Sequence, residues 1–333
     1  MKHRTVALDG ETIHIIDDAI SPAFNQRLYD YVARAGFTQS EGASEMTAAY
    51  KHLARDFDLD RLERSAFGKM SNDAIRDYVA EPQQIYRGYC NMMLFGHLGG
   101  LHRDCSVGWD DLSALFFVCT EWKANWGGEL HMFDKTGDAQ FAIAPKPGRL
   151  VLFRGRMQHS ATAPSVICTM PRFSIALKCR DFTKNVEAQL GVYTAAYALT
   201  NTPADVRARS VHMIGMLDHP KAMQTLAEIA AGSATPVECR YEALKALLRK
   251  DRARLPRIGD MLGSSSADVR IAAARTLGNP LTGEARPHIE RRLAIETDGR
   301  VRDALLQALL TGSEDIDGVG DPAALPEAAL ATA

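Results

Sequence analysis

The sequence predicts an α+β chain in two parts: an antiparallel double-sheet barrel with flanking helices over residues 1–185, and an all-helical repeat array over 192–312. From Ile85 to Lys178, short β-branched and aromatic runs follow one another, broken by turn pairs such as Gly99-Gly100 and Pro147-Gly148. Many short strands at that spacing suit a closed or double-layered antiparallel architecture. Past residue 185 the chain becomes rich in Ala, Leu and Arg with helical period, and three-residue anchors recur about every 30 to 33 residues. A domain boundary is therefore expected between Phe182 and Val192.

Taken in order, Thr12–Ile16 reads as a strand, and Ser21-Pro22 as the N-cap and first residue of a helix running to about Val32. Leu59–Val79 reads as one further helix, and the small, polar stretch Gln39–Tyr50 as a mobile surface loop. The expected barrel strands are Ile85–Leu94, Ser113–Cys119, Gly128–Phe133, Gln140–Ile143, Arg149–Phe153, His159–Thr162 and Arg172–Lys178.

In the second part the anchors Asp205-Val206-Arg207, Glu238-Cys239-Arg240, Asp268-Val269-Arg270 and Arg300-Val301-Arg302 each begin a helix. Ala222–Ala231, Leu255–Leu262 and Arg286–Ile295 supply a second helix between them. Each Val or Cys is expected to start an apolar face and each Arg to pair with a neighbouring repeat. Such helix–turn–helix units stack, and the pattern resembles short HEAT-type repeats. Residues 313–333 lack a sustained amphipathic pattern and read as a disordered tail.

A chain of 333 residues with 46% hydrophobic content can fill a sizeable core. Lys+Arg 39 against Asp+Glu 41 leaves no overall basic field, so no nucleic-acid partner is expected. No run approaches the roughly 20 apolar residues of a membrane span. The first residues lack the apolar core of a signal peptide, and six cysteines are scattered without CxxC pairs. The expectation is reduced thiols, a cytoplasmic location and no membrane association.

The chemistry concentrates in three motifs. In FGHLGGLHRDCS, His102 and Asp104 are two apart and so share one side of an extended strand. His159, in RGRMQHSATAP, lies 57 residues later and can approach them only if the intervening strands fold back. Two imidazoles and a carboxylate on one face of an ion leave three positions open, which suits an iron(II) that must bind cosubstrate and oxygen together. In PRFSIALK, Arg172 and Ser174 share a strand face. A guanidinium fork takes a carboxylate through two parallel hydrogen bonds, with the serine hydroxyl adding a third, and so can hold the far end of a dicarboxylate.

With WKANWGGELHMFD and PKPGRLVLF, these motifs resemble the iron(II)- and 2-oxoglutarate-dependent oxygenases, in particular the prolyl-4-hydroxylase-like branch, over about residues 10–182. The resemblance implies a double-stranded β-helix (jelly-roll, cupin-like) barrel, with His102, Asp104 and His159 as iron ligands and Arg172 with Ser174 as the 2-oxoglutarate anchor. It also makes Tyr89 and Asn91, in YRGYCNMMLF, cosubstrate-facing candidates. The implied cofactors are Fe(II), 2-oxoglutarate and O2, with ascorbate a candidate reductant, and the implied chemistry couples release of succinate and CO2 to C–H hydroxylation. Asp104 stands where a halogenase would have no ligand, which favours hydroxylation over halogenation, while desaturation or cyclisation can share the same ligands. Arg172 stands 13 residues after His159, with SVICTMP enlarging the turn. Lys178 is expected to lie farther along that strand from the metal.

The resulting expectation is a dioxygenase acting on an unactivated C–H bond of an amino acid, peptide-like metabolite or natural-product precursor. The alternatives are a protein-residue hydroxylase whose helical repeats dock a protein partner or mediate self-association, and a noncatalytic barrel-plus-repeat adaptor. Of the remaining polar and aromatic residues, His97 reads as a turn residue and His131 as a core or barrel-lining histidine. Arg87, Trp109, Trp126, Arg103, Arg154 and Arg156 read as packing or pairing residues near the motif ends.

Overall fold

The computed structural model describes residues 2–41, 52–97, 99–106, 108–279 and 282–310. The chain divides into two compact units, the first ending at Asp181 and the second beginning at Phe182. The expected disordered tail, 313–333, lies outside the described residues.

Among the described residues the first unit holds eleven strands: β1 (Lys2–Leu8), β2 (Glu11–Asp17), β3 (Thr38–Glu41), β4 (His52–Asp56), β5 (Gln84–Met93), β6 (Leu112–Val118), β7 (Leu130–Phe133), β8 (Ala139–Ile143), β9 (Leu150–Arg154), β10 (His159–Ala161) and β11 (Arg172–Arg180). Eight of them form one sheet in the order β1-β2-β9-β6-β11-β5-β4-β3, and three form a second in the order β10-β7-β8. Every pairing among them is antiparallel.

Alternation along the strands makes two cores. Tyr89, Leu115, Phe117, Val151, Phe153 and Ala176 of the large sheet meet Leu130, Met132 and Ile143 of the small one in a core between the sheets. The intervening residues Cys90, Phe116, Leu152, Ile175 and Leu177 form the other core, with Phe24, Leu28, Phe67 and Ile75 from helices α1 (Pro22–Ala33) and α3 (Ala66–Tyr78). Both β6 and β11 are buried on both faces throughout; β6 reads as a nearly continuous apolar run, whereas β11 buries Arg172, Ser174, Lys178 and Arg180 among its apolar residues.

The local chemistry explains where helices begin and where the sequence reading needs correction. Ser21 caps α1 by accepting from Phe24 N, and Pro22 fills the first turn, where no N–H is needed. The single helix expected over Leu59–Val79 is two, because Ser65 ends α2 (Leu59–Arg64) and its hydroxyl caps α3 by accepting from Gly68 N at 2.9 Å. Gly68 permits the break: a Cβ there would lie 1.8 Å from Leu62 O. The loop expected over Gln39–Tyr50 begins instead as strand β3, paired with β4, and residues 42–51 lie outside the described residues.

The second unit contains α4 (Val186–Ala198), α5 (Ala204–Met216), α6 (Pro220–Ala231), α7 (Val237–Lys250), α8 (Leu255–Asp260), α9 (Ala267–Leu277), α10 (Arg286–Leu293) and α11 (Gly299–Leu310). Its first helix, α4, begins at Val186, within the interval Phe182–Val192 where the boundary was expected. The anchor helices stack in series, α5 on α7, α7 on α9 and α9 on α11.

The repeated arginines reach backward, to the carbonyls that end the preceding helical segment. Arg207 donates to Tyr197 O, Arg240 to Ala230 O and Gly232 O, Arg270 to Ser264 O and Ser265 O, and Arg302 to Leu293 O and Glu296 O. A helix C-terminus leaves carbonyls unpaired and carries partial negative charge, so a guanidinium satisfies both. The apolar anchor position is less uniform than expected: Cys239 and Val301 are buried, whereas Val206 is 42% exposed. Removing the buried Arg240 guanidinium strands several carbonyls, so Arg240→Met is expected to cost about 2–3 kcal/mol in denaturant unfolding. Exposed Arg209→Met is expected to cost almost nothing. Among the described residues no helix is long and apolar enough to cross a membrane.

Candidate active site

His102 and His159 face each other directly. Their backbones form an isolated antiparallel bridge, His102 N donating to His159 O and His159 N to His102 O, both at 3.0 Å. This bridge sets the segment before β6 against β10, at the edge of the small sheet, and closes the gap of 57 residues. Asp104 does not continue an extended strand, as the spacing suggested, but sits in a bend. Its N–H donates to Gly155 O at 2.7 Å, and Gly155 N donates to Asp111 O at 2.7 Å, so the turn after β9 fixes the bend.

The three side chains converge. One ligand atom from each of His102, Asp104 and His159 lies within 4.8 Å of the others, a spacing that can hold a metal ion. His102 Nδ1–H donates to Gly100 O at 2.8 Å and His159 Nδ1–H to Met157 O at 3.0 Å. With those protons engaged, each Nε2 presents its lone pair inward, the tautomer a metal requires. Both Nε2 atoms lie 3.5 Å from an Asp104 oxygen.

Burial pushes the His159 pKa down to about 4, with the Asp104 charge only partly opposing it. The imidazole is therefore neutral in the folded protein at any ordinary pH. Because the folded value is below the unfolded one, the unfolded chain binds the extra proton first. The metal-free protein keeps this contribution above about pH 6.5 and loses it as the pH falls toward 4. Thermal melts from pH 7 to 4 are expected to show a steeper fall for the metal-free wild type than for His159→Gln.

The Asp104 side chain is 5% exposed, and burial alone would raise its pKa. The charge of Lys178, followed by His159 and His102, overcomes burial and holds the carboxyl well below its ordinary value. Ser113 Oγ donates to Asp104 Oδ2 at 2.5 Å, and Lys178 Nζ contacts the same oxygen. The expectation that Lys178 lies away from the metal ligands is thus corrected. Lys178 pairs with Ser113 across β11 and β6, and both side chains project toward Asp104.

Arg172 begins β11 on the same face, beside the end of β5. It is 2% exposed, its guanidinium lies over the Phe117 ring at 5.0 Å, and Nη1 reaches Ser174 Oγ at 3.4 Å and Met93 Sδ at 3.5 Å. Nε and Nη2 have no hydrogen-bond partner among the described residues. Burial pushes its pKa down to about 10, still charged at neutral pH. Gly128, at φ +78°, makes this placement possible: a Cβ there would meet Trp122 at 2.9 Å and Arg172 Cδ at 3.1 Å. The glycine pair and tryptophan of WKANWGGEL thus shape the space around the guanidinium, with Trp122 Nε1 donating to Gly127 O.

The other singled-out residues divide by position. Asn91 stands opposite Ser174 and pairs with His52 Nε2 at 3.1 Å. Tyr89 stands opposite Ala176, buried, with the Arg87 guanidinium over its ring at 4.3 Å. His131 is not barrel-lining, because Leu130 and Met132 on either side of it take the inward face of β7. His97 accepts from Leu94 N in a turn. Arg87 pairs with Asp56, Arg154 with Glu81 and Asp110, and Arg156 with Glu11 and Asp110. Arg103 donates to Arg156 O, Trp126 packs edge-on against Trp122, and Trp109 covers the Arg180 guanidinium at 4.0 Å. The sequence reading misses Ser113, whose only signal is its place in a strand, and His52.

Residues 90–177 match the family model described as the 2OG-Fe(II) oxygenase superfamily. That family uses Fe(II), 2-oxoglutarate and O2, and the His–Asp–His triad lies within the matched region. A search of curated proteins found no match. Solved structures similar to this chain include a Pseudomonas putida prolyl-4-hydroxylase, at 14% identity and TM-score 0.40, covering 51% of this chain and 92% of that one. A Trichoplax adhaerens prolyl hydroxylase in complex with a hypoxia inducible factor peptide fragment has 15% identity and TM-score 0.41, covering 53% and 86%. The non-heme alpha ketoglutarate dependent epimerase SnoN from nogalamycin biosynthesis has 12% identity and TM-score 0.39, covering 51% and 78%.

Proposed function

We propose that this chain is an iron(II)- and 2-oxoglutarate-dependent dioxygenase that hydroxylates an unactivated C–H bond of an amino acid, peptide-like metabolite or natural-product precursor. The observation that carries the reading is the pairing of an open His102–Asp104–His159 triad with a buried, under-satisfied cation at Arg172. Each fits one end of the same cosubstrate. Two neutral imidazoles and one carboxylate suit a divalent iron and leave positions for further oxygen ligands. A guanidinium with unpaired Nε and Nη2 donors in an apolar setting suits a carboxylate that can take both.

In this reading His102, Asp104 and His159 hold the metal, and Arg172 with Ser174 holds the distal carboxylate. Met93 and Phe117 exclude water around that ion pair and so strengthen it. Tyr89 and Asn91, two strand positions apart on β5, are cosubstrate- or substrate-facing. The bound metal and cosubstrate supply oxidative decarboxylation to succinate and CO2, coupled to oxygen insertion into the substrate. The second unit is read as a HEAT-type array.

Aerobic incubation with Fe(II), ascorbate and 2-oxoglutarate tests the reading. Succinate is expected to accumulate slowly without substrate and faster with a substrate from the classes named. No succinate above a His102→Ala control, across a panel of amino acids and peptides, would sink the proposal in favour of a noncatalytic adaptor.

A further inference from the structure

Lys178 is a lysine 8% exposed, placed by the β11–β6 register so that its ammonium touches one oxygen of the metal-binding carboxylate. That oxygen, Asp104 Oδ2, also accepts from Ser113 Oγ, and Lys178 Nζ in turn donates to Ser113 Oγ at 3.3 Å. Carboxylate, hydroxyl and ammonium contact one another in a triangle, and the Tyr89 side chain bonds to the same ammonium. Asp104 already has a hydrogen-bond donor in Ser113, so orientation alone does not call for a buried cation.

The charge has a larger consequence. Two neutral imidazoles and a carboxylate carry one negative charge; with Lys178 beside them the group carries none. A divalent ion entering such a cluster meets a fixed positive charge at close range in a buried site, where Coulomb interactions are weakly screened. The Lys178 ammonium is held by its ion pair with the Asp104 carboxylate and by its bond to Ser113 Oγ.

Resting on the proposed function, we propose that Lys178 is a positioning residue whose charge weakens retention of the metal alone and couples metal binding to arrival of an anionic cosubstrate. The excess positive charge of metal, Lys178 and Arg172 is relieved when a dicarboxylate dianion binds. Metal affinity is then low in the empty site and rises with the cosubstrate.

The test uses the full chain and Mn(II), with free ion followed by its EPR signal, with and without 2-oxoglutarate. Lys178→Gln keeps a donor to Asp104 and Ser113 but removes the charge; Lys178→Met removes both; Lys178→Arg keeps both. Expected is Mn(II) binding about 10-fold or more tighter in Gln and Met than in wild type, from removal of a like charge near the ion, with the gain on adding 2-oxoglutarate reduced by a similar factor and Arg close to wild type. If Met weakens Mn(II) binding while Gln matches wild type, Lys178 merely orients Asp104 and the proposal is overturned. Unchanged affinity and coupling in Gln and Met overturn it too. Should wild type bind neither Mn(II) nor 2-oxoglutarate, the functional reading itself fails, an outcome distinct from both.

Discussion

Asp104→Ala is expected to lower Mn(II) or Fe(II) affinity by at least about 100-fold and to remove 2-oxoglutarate turnover, while also destabilising the metal-free protein by about 3 kcal/mol. Both effects come from one side chain. Asp104 is the only anion of the triad, so its loss leaves two imidazoles facing the Lys178 ammonium. It is also the carboxylate partner of a lysine 8% exposed, and a buried charge stripped of its partner is costly. The double variant Asp104→Ala, Lys178→Met is therefore expected to recover most of the lost stability without recovering metal binding. Calorimetric metal titration and urea unfolding on the two variants separate the effects. Equal instability in single and double variants would show that Lys178 does not depend on Asp104.

Arg172→Met is expected to raise the Kd for 2-oxoglutarate about 100-fold, from loss of a desolvated charge-assisted pair, and to leave Mn(II) binding in its absence within about threefold of wild type. Its effect on stability should run the other way. In the cosubstrate-free protein the guanidinium is buried with Nε and Nη2 unpaired, at the cost of its desolvation. Methionine beside Met93, Phe117 and Ser174 fills similar volume without that penalty, so the variant should be as stable as wild type or more stable by about 1–2 kcal/mol. Wild type should gain thermal stability on adding 2-oxoglutarate with Mn(II), and Arg172→Met should gain little. A destabilised variant with unchanged 2-oxoglutarate affinity would make Arg172 a packing residue.

The parts of the site that are legible in the sequence are those written locally. His102 and Asp104 are two apart, Arg172 and Ser174 are two apart, and the apolar strands around them are continuous enough to find. The structure brings His102, Asp104 and His159 together, but through a backbone bridge and a bend at Asp104 and not through one extended strand. Lys178 and Ser113 cannot be read this way, because their meeting depends on which residue of β11 faces which residue of β6, 65 positions apart. No short motif encodes that register. Strands β1 and β4 are hidden for a different reason. β1 is exposed along most of its length and lacks apolar alternation, and β4 is a short polar run, HLARD, whose strand state comes from pairing with β5. The break at Ser65 is masked because helical periodicity continues on both sides of it, whereas the capping hydroxyl and the close approach at Gly68 are tertiary facts. In the second unit the anchor period is visible, yet the partners of its arginines are not, since a guanidinium can reach either back to carbonyls or across to carboxylates.

Anaerobic calorimetry of 2-oxoglutarate binding to the full chain, with and without Mn(II), tests the two-ended site most directly. The expected result is one molecule bound per chain when the metal is present, little binding when it is absent, and loss of that binding in both Asp104→Ala and Arg172→Met. Binding that is indifferent to the metal, or that survives Arg172→Met at wild-type affinity, would contradict a site in which the triad and Arg172 hold the two ends of one dicarboxylate.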